Sequence, residues 1–155
     1  MATAPNEYLR NAVLTATPEQ LLLMLYDGAI RYARQGLEGI ENRDWEKAFL
    51  GFSRAQKIML ELLNSLNYDV NRELCTRVAG LYNYIYRHLV SACAERSVSA
   101  AKEALRFLEY QRETWVMLID KLRSERAAEP AVCREPVGAA HGSSNGDYGS
   151  LSIEG

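Results

Sequence analysis

The sequence predicts an all-α fold, an antiparallel up-down four-helix bundle over residues 17–126, with a short N-terminal segment before it and a disordered C-terminal tail after it. Three observations carry this expectation. Four stretches repeat apolar residues at i, i+3 and i+4, with the helical period. The links between them span only about two to five residues, which makes consecutive helices antiparallel neighbours. Nothing alternates with period two for long enough to build a sheet. A chain of 155 residues can bury a core of this kind without disulfides or metals.

The first helix is expected over about 17–41. Thr17-Pro18-Glu19-Gln20 opens it: Thr17 supplies a capping oxygen, Pro18 suits the first turn, and Gln20 completes a capping box. Leu21, Leu22, Leu25, Ala29, Ala33 and Ile40 form one stripe, and Leu23, Tyr26, Ile30 and Leu37 form a second. Two stripes are more than one core-facing side requires. Asp44 caps the second helix, about 44–66, whose rhythm is Trp45, Ala48, Phe49, Phe52, Ala55, Met59, Leu62, Leu63 and Leu66.

Asn67-Tyr68-Asp69 is a turn into the third helix, about 70–95, with Leu74, Val78, Leu81, Tyr82, Ile85, Leu89 and Ala92 in register. Ser97 or Ser99 caps the fourth, about 98–126. Its stripe of Ala101, Leu105, Leu108, Trp115, Leu118, Ile119 and Leu122 is interrupted by Gln111 and Arg112. Residues 127–155 lose all period and gather Pro130, Pro136 and a Gly/Ser-rich run, the composition of a disordered tail. Residues 1–16 carry Tyr8, Leu9, Val13 and Leu14, spaced to lie on a surface rather than to build a core.

Charge and composition exclude several classes of function. Lys and Arg total 18 against 20 Asp and Glu, a net charge of −2, so no global field draws the chain to a polyanion. The tail holds four acids against Arg134, which leaves the bundle nearly neutral. The longest apolar run, Leu21 to Tyr26, falls far short of the roughly 20 residues that span a bilayer. Met1 to Arg10 lacks the basic start and apolar run of a secretory signal.

Cys75 and Cys93, on one continuous helix, would stand about 27 Å apart and could not bond with each other. With Cys133 they make an odd set, which fits a reducing cytoplasm. The histidines, His88 and His141, form no Glu-x-x-His or His-Glu-x-x-His pattern, and there is no Cys-x-x-Cys pair or phosphate-binding loop. No enzyme activity, cofactor or metal is therefore expected. Tyr82-Asn83-Tyr84-Ile85-Tyr86-Arg87-His88 mixes aromatics with basic residues, as stacking platforms for nucleic acid do. The favoured reading is a helix with Tyr82 and Ile85 inward and Tyr84 and Tyr86 partly exposed as protein-contact surface.

Three motifs go further. The stretch from Tyr8-Leu9-Arg10-Asn11-Ala12-Val13 through Thr15-Ala16-Thr17-Pro18-Glu19 to Leu25-Tyr26-Asp27-Gly28-Ala29 resembles the opening of the flagellin-specific export chaperones, the FliS family. Thr17 stands where that family usually has Ser and keeps the capping oxygen. Leu81-Tyr82-Asn83-Tyr84-Ile85 resembles the family's Leu-Tyr-Asp-Tyr-Met, and Arg112-Glu113-Thr114-Trp115 its Arg-Glu-Ala-Trp, with Gln111 where Leu is usual. The resemblance covers about residues 8–120.

It implies a cytoplasmic chaperone that binds the disordered C-terminal segment of flagellin, prevents premature polymerisation and assists delivery to the flagellar type III export apparatus. Tyr8, Val13, Leu22, Leu25, Tyr26, Tyr82 and Ile85 match motif positions and are the partner-binding candidates, with residues 1–16 as a cap over an empty groove. For Leu25, Tyr82 and Ile85 core packing is the favoured reading. Export-gate components and a second copy of the chain are further partners to consider, whereas nucleic acid and membrane insertion are not expected. The alternative is a helical-bundle regulatory adaptor that binds another protein or nucleic acid.

Overall fold

A computed structural model describes residues 3–128, with side chains from Asn6 onward, so the tail expected over residues 127–155 lies outside the described residues except for Ala127 and Ala128, which instead end the last helix. Five helices occur among them: α1 (Thr3–Thr15), α2 (Pro18–Glu41), α3 (Trp45–Asn64), α4 (Arg72–Glu95) and α5 (Val98–Ala128). No strand occurs among the described residues. They fall into two units. One is the helical body up to Ile119; the other comprises the last turns of α5, where Ser124 Oγ donates to Asp120 O at 3.0 Å.

The start signals act as the sequence suggests. Thr17 Oγ1 accepts from Gln20 N at 3.2 Å while Gln20 Oε1 accepts from Thr17 N at 2.9 Å, a complete capping box. Asp44 Oδ1 accepts from Lys47 N, and Ser97 Oγ from Ala100 N, both at 3.1 Å. Asn71, within the expected third helix, is instead its cap, accepting from Leu74 N at 3.1 Å, so α4 starts at Arg72 rather than near Val70. Residues 3–15, expected only as a short segment ahead of the first helix, form a helix of their own. Pro5 falls in its first turn, where its missing N–H costs nothing, and Pro18 pushes Thr17 into the extended region that separates α1 from α2.

α2 through α5 form the antiparallel bundle. Gly28 faces Ile58, Gly36 faces Gly51 and Gly39 faces Ala48, which sets α2 against α3 in opposite directions. Tyr84 meets Glu103 and Phe107 across the α4–α5 seam. The core draws on all four: Tyr26, Ala29 and Ala33 from α2, Phe52, Ala55 and Met59 from α3, Tyr82, Ile85 and Leu89 from α4, and Ala101, Ala104 and Leu108 from α5.

The seams differ in depth. A methyl on Gly51 would lie 2.5 Å from Gly36 N, and one on Gly39 would lie 2.8 Å from Ala48 Cα. α2 and α3 therefore touch through their backbones, which only glycine permits. Gly28 is less constrained, its added carbon meeting only Ile58 Cδ1 at 3.1 Å.

Several side chains expected inward lie outside. Trp45 and Phe49 are exposed because the buried stripe of α3 runs through Ala48, Gly51, Phe52, Ala55, Met59 and Leu62, leaving 45 and 49 to one side. Trp45 instead carries the Arg96 guanidinium 3.8 Å above its ring. Arg96 is in the left-handed region, φ 53°, and this contact ties the α4–α5 turn to the start of α3. Leu74 and Leu118 are also exposed, because burial ends toward the start of α4 and beyond Leu108 on α5.

A candidate partner-binding surface

Side chains at one end of the bundle are thinly covered. Leu22 and Leu25 at the start of α2 are half-buried, Leu60 near the end of α3 and Leu74 at the start of α4 are exposed, and so are Met117 and Leu118 on α5. Antiparallel packing brings these positions to the same end. α1 adds more apolar surface, since Tyr8 is 78% exposed, Leu14 71% and Val13 43%. No α1 side chain among the described residues joins the core cluster.

The seven candidate residues therefore divide. Tyr8 and Val13 stand on the exposed helix α1. Leu22 and Leu25 pack against the edge of the core while keeping part of their surface free. Tyr26, Tyr82 and Ile85 lie inside the core, where a partner does not touch them in this conformation.

The three motifs meet at one place. The hydroxyls of Tyr26 on α2 and Tyr82 on α4 are hydrogen-bonded at 2.6 Å, their rings 6.3 Å apart. Burial pushes the Tyr26 hydroxyl far above its ordinary pKa, and proximity to Tyr82 adds to this. Burial also raises Tyr82, against the lowering effect of its bond with Tyr26; the Trp115 indole on α5 lowers both. Just outside this group, Asp27 pairs with the Arg112 guanidinium, raising its pKa above the usual arginine value. Arg34 pairs with Glu109 a little further along α2.

Asp27 carried no derivable role in the sequence, and neither did the Gln111–Arg112 break in the α5 stripe. The two observations answer each other: the break exists because α5 turns an arginine toward α2. Between these helices lies an open groove of about 480 Å³ lined by Asp27, Ile30, Arg34, Glu109, Arg112, Glu113 and Val116.

Elsewhere the chemistry is sparse. His88 Nδ1 lies 2.9 Å from Tyr84 O, and its ring stacks 4.2 Å from the Tyr84 ring, whose other contact is Phe107. Tyr84 OH donates to Glu103, which Arg106 holds ionised below the ordinary carboxylate range. The tyrosine that suggested a stacking platform is thus occupied within the chain. Cys75 donates its thiol to Asn67 O at 3.2 Å, and burial raises the pKa of Cys93; both are free. Among the described residues no group of three His, Cys, Asp or Glu could hold a metal, and no helix is long and apolar enough to cross a membrane.

The chain is thus an all-helical bundle fixed by caps and glycines, with apolar side chains left bare at one end and on α1. Comparison with known proteins gives the family. The profile for "Flagellar protein FliS" matches residues 1–122. The "Flagellar secretion chaperone FliS" of Bacillus subtilis (strain 168) is 34% identical over 119 residues, 77% of this chain and 88% of the relative. That of Campylobacter jejuni is 29% identical over 72% of this chain and 88% of the relative. A solved structure described as "Crystal structure of flagellar chaperone from bacteria" shares the fold with a TM-score of 0.63 at 19% identity, covering 77% of this chain and 97% of the other. The chain belongs to the FliS family of flagellar secretion chaperones, which are not enzymes.

Proposed function

We propose that the chain binds the C-terminal segment of flagellin in the bacterial cytoplasm, keeps flagellin from polymerising early and assists its delivery to the flagellar type III export apparatus. The observation that carries this reading is the apolar surface left by α1 and the open end of the bundle, in a chain of this family. Flagellin segments that assemble through amphipathic helices expose sticky faces before export. A bundle with unburied leucines can cover those faces while the segment folds along its flank, apolar burial offsetting the cost of ordering. Tyr8, Val13, Leu22 and Leu25 make the direct contacts. Tyr26, Tyr82 and Ile85 support that surface from beneath.

Seeded flagellin polymerisation followed by light scattering tests the function. An equimolar amount of the chain is expected to suppress elongation. Unchanged elongation at a severalfold excess overturns the proposal. A regulatory adaptor that binds nucleic acid would instead bind DNA or RNA with a steep dependence on salt.

A further inference from the structure

The four seams of the bundle are not equally closed. α2 and α3 touch through Gly36, Gly39 and Gly51, where nothing can slide without a backbone clash. The first half of α5 is anchored by Ala101, Ala104, Leu105 and Leu108, all buried. Beyond Leu108 no residue of α5 is buried, and Gln111, Arg112, Trp115, Val116 and Ile119 are half-buried at most. That stretch is tied to α2 by Asp27–Arg112 and Arg34–Glu109, across an open groove. All four of these side chains are substantially exposed, so water and salt compete for both pairs.

We infer that Glu109–Ile119 is a flap that undocks from the bundle while Val98–Leu108 stays in place, with the two ion pairs as its latch. Its closed position puts Trp115 against the Tyr26–Tyr82 pair, and Trp115, like Leu22 and Leu25, packs at the edge of the core. Undocking uncovers that part of α2. This explains how motif residues buried in the closed bundle come within a partner's reach. That last step rests on the flagellin reading; the flap itself does not.

Hydrogen–deuterium exchange of the full chain without any partner tests the flap. Once undocked, this stretch loses the tertiary packing from which most helical stability in a protein comes, so its amides exchange through opening. Amides of Gln111–Ile119 are expected to exchange at least tenfold faster than those of Ala101–Leu108. Asp27→Asn with Arg34→Gln is expected to speed the former by about threefold to tenfold, with the latter unchanged. High salt should speed Gln111–Ile119 in the parent but not in that variant. Arg77→Gln, which breaks the Glu73–Arg77 pair within α4, is the control and should leave them unchanged. Equal exchange along α5, or no response to the double substitution, overturns the inference.

The partner arm uses a background of Cys75→Ser, Cys93→Ala and Cys133→Ser, with Asp27→Cys and Arg112→Cys joined by a short bismaleimide. A flagellin C-terminal peptide is expected to bind the linked chain at least tenfold more weakly than the unlinked one. Equal affinity overturns gating by the flap. Failure of the unlinked chain to bind counts against the flagellin reading, and the exchange rates then decide the flap.

Discussion

Gly36 of α2 and Gly51 of α3 meet backbone to backbone, with Tyr32 O completing the contact: a methyl on Gly51 would sit 2.6 Å from that oxygen. Neither atom can retreat without moving a helix. Gly51→Ala is therefore expected to cost about 3 kcal/mol through overpacking. Gly80 lies on α4 with nothing within 4 Å of an added carbon, so Gly80→Ala should stabilise by about 0.5–1 kcal/mol through helix propensity. Urea midpoints moving in opposite directions for the two variants check this.

The Tyr26–Tyr82 hydrogen bond joins α2 to α4 inside the core. Removing one hydroxyl leaves the other buried and short of a partner, so Tyr82→Phe should cost about 1–2 kcal/mol. Removing both relieves the orphan, and the double Phe variant should lose less than the sum of the singles. A double-mutant cycle by denaturant unfolding, with a coupling of about 1 kcal/mol, is the expected result.

The same pair sets a dependence on alkaline pH. Both hydroxyls have folded-state pKa values raised above the ordinary value near 10, so the folded chain keeps protons that the unfolded chain releases. Their contribution is complete below the ordinary value near pH 10 and is lost progressively as pH rises from there toward the raised folded values. Unfolding free energy measured from pH 8 to 11.5 should fall above pH 10, and less steeply in the double Phe variant. Tyrosinate absorbance should show Tyr26 and Tyr82 ionising only as the chain unfolds.

Tyr8 and Val13 extend from α1 without joining the core cluster. Tyr8→Ala with Val13→Ala should change stability by less than about 0.5 kcal/mol, as surface substitutions do. Binding of a flagellin C-terminal peptide should weaken at least tenfold, about 1.4 kcal/mol. A large drop in thermal stability would assign both side chains to packing instead.

The helices were legible because their signals are local. Thr17 with Gln20, Asp44 and Ser97 carry capping oxygens at fixed offsets, and the apolar period of α2 to α5 is long. α1 was not, because its four apolar side chains lack a core-facing stripe, and only the absence of a breaker between Asn6 and Leu14 marks it. The exposure of Trp45, Phe49, Leu74 and Leu118 depends on where neighbouring helices end their cover, which no periodicity reports. Tyr26, Tyr82, Asp27, Arg112 and Trp115 stood out in the sequence as motif members. Their meeting as one cluster is a tertiary fact, and the Gln111–Arg112 break was its one visible trace. Gly28 stands in the first motif, whereas nothing in the sequence singles out Gly36, Gly39 and Gly51, since it gives no sign of which helix faces a backbone.

The measurement that bears most directly on the central claim is isothermal titration of the full chain with the C-terminal segment of flagellin. Tight 1:1 binding with a negative heat-capacity change, the mark of apolar burial coupled to folding of the segment, is the predicted result. No heat of binding with both partners at tens of micromolar, at two temperatures, would contradict it.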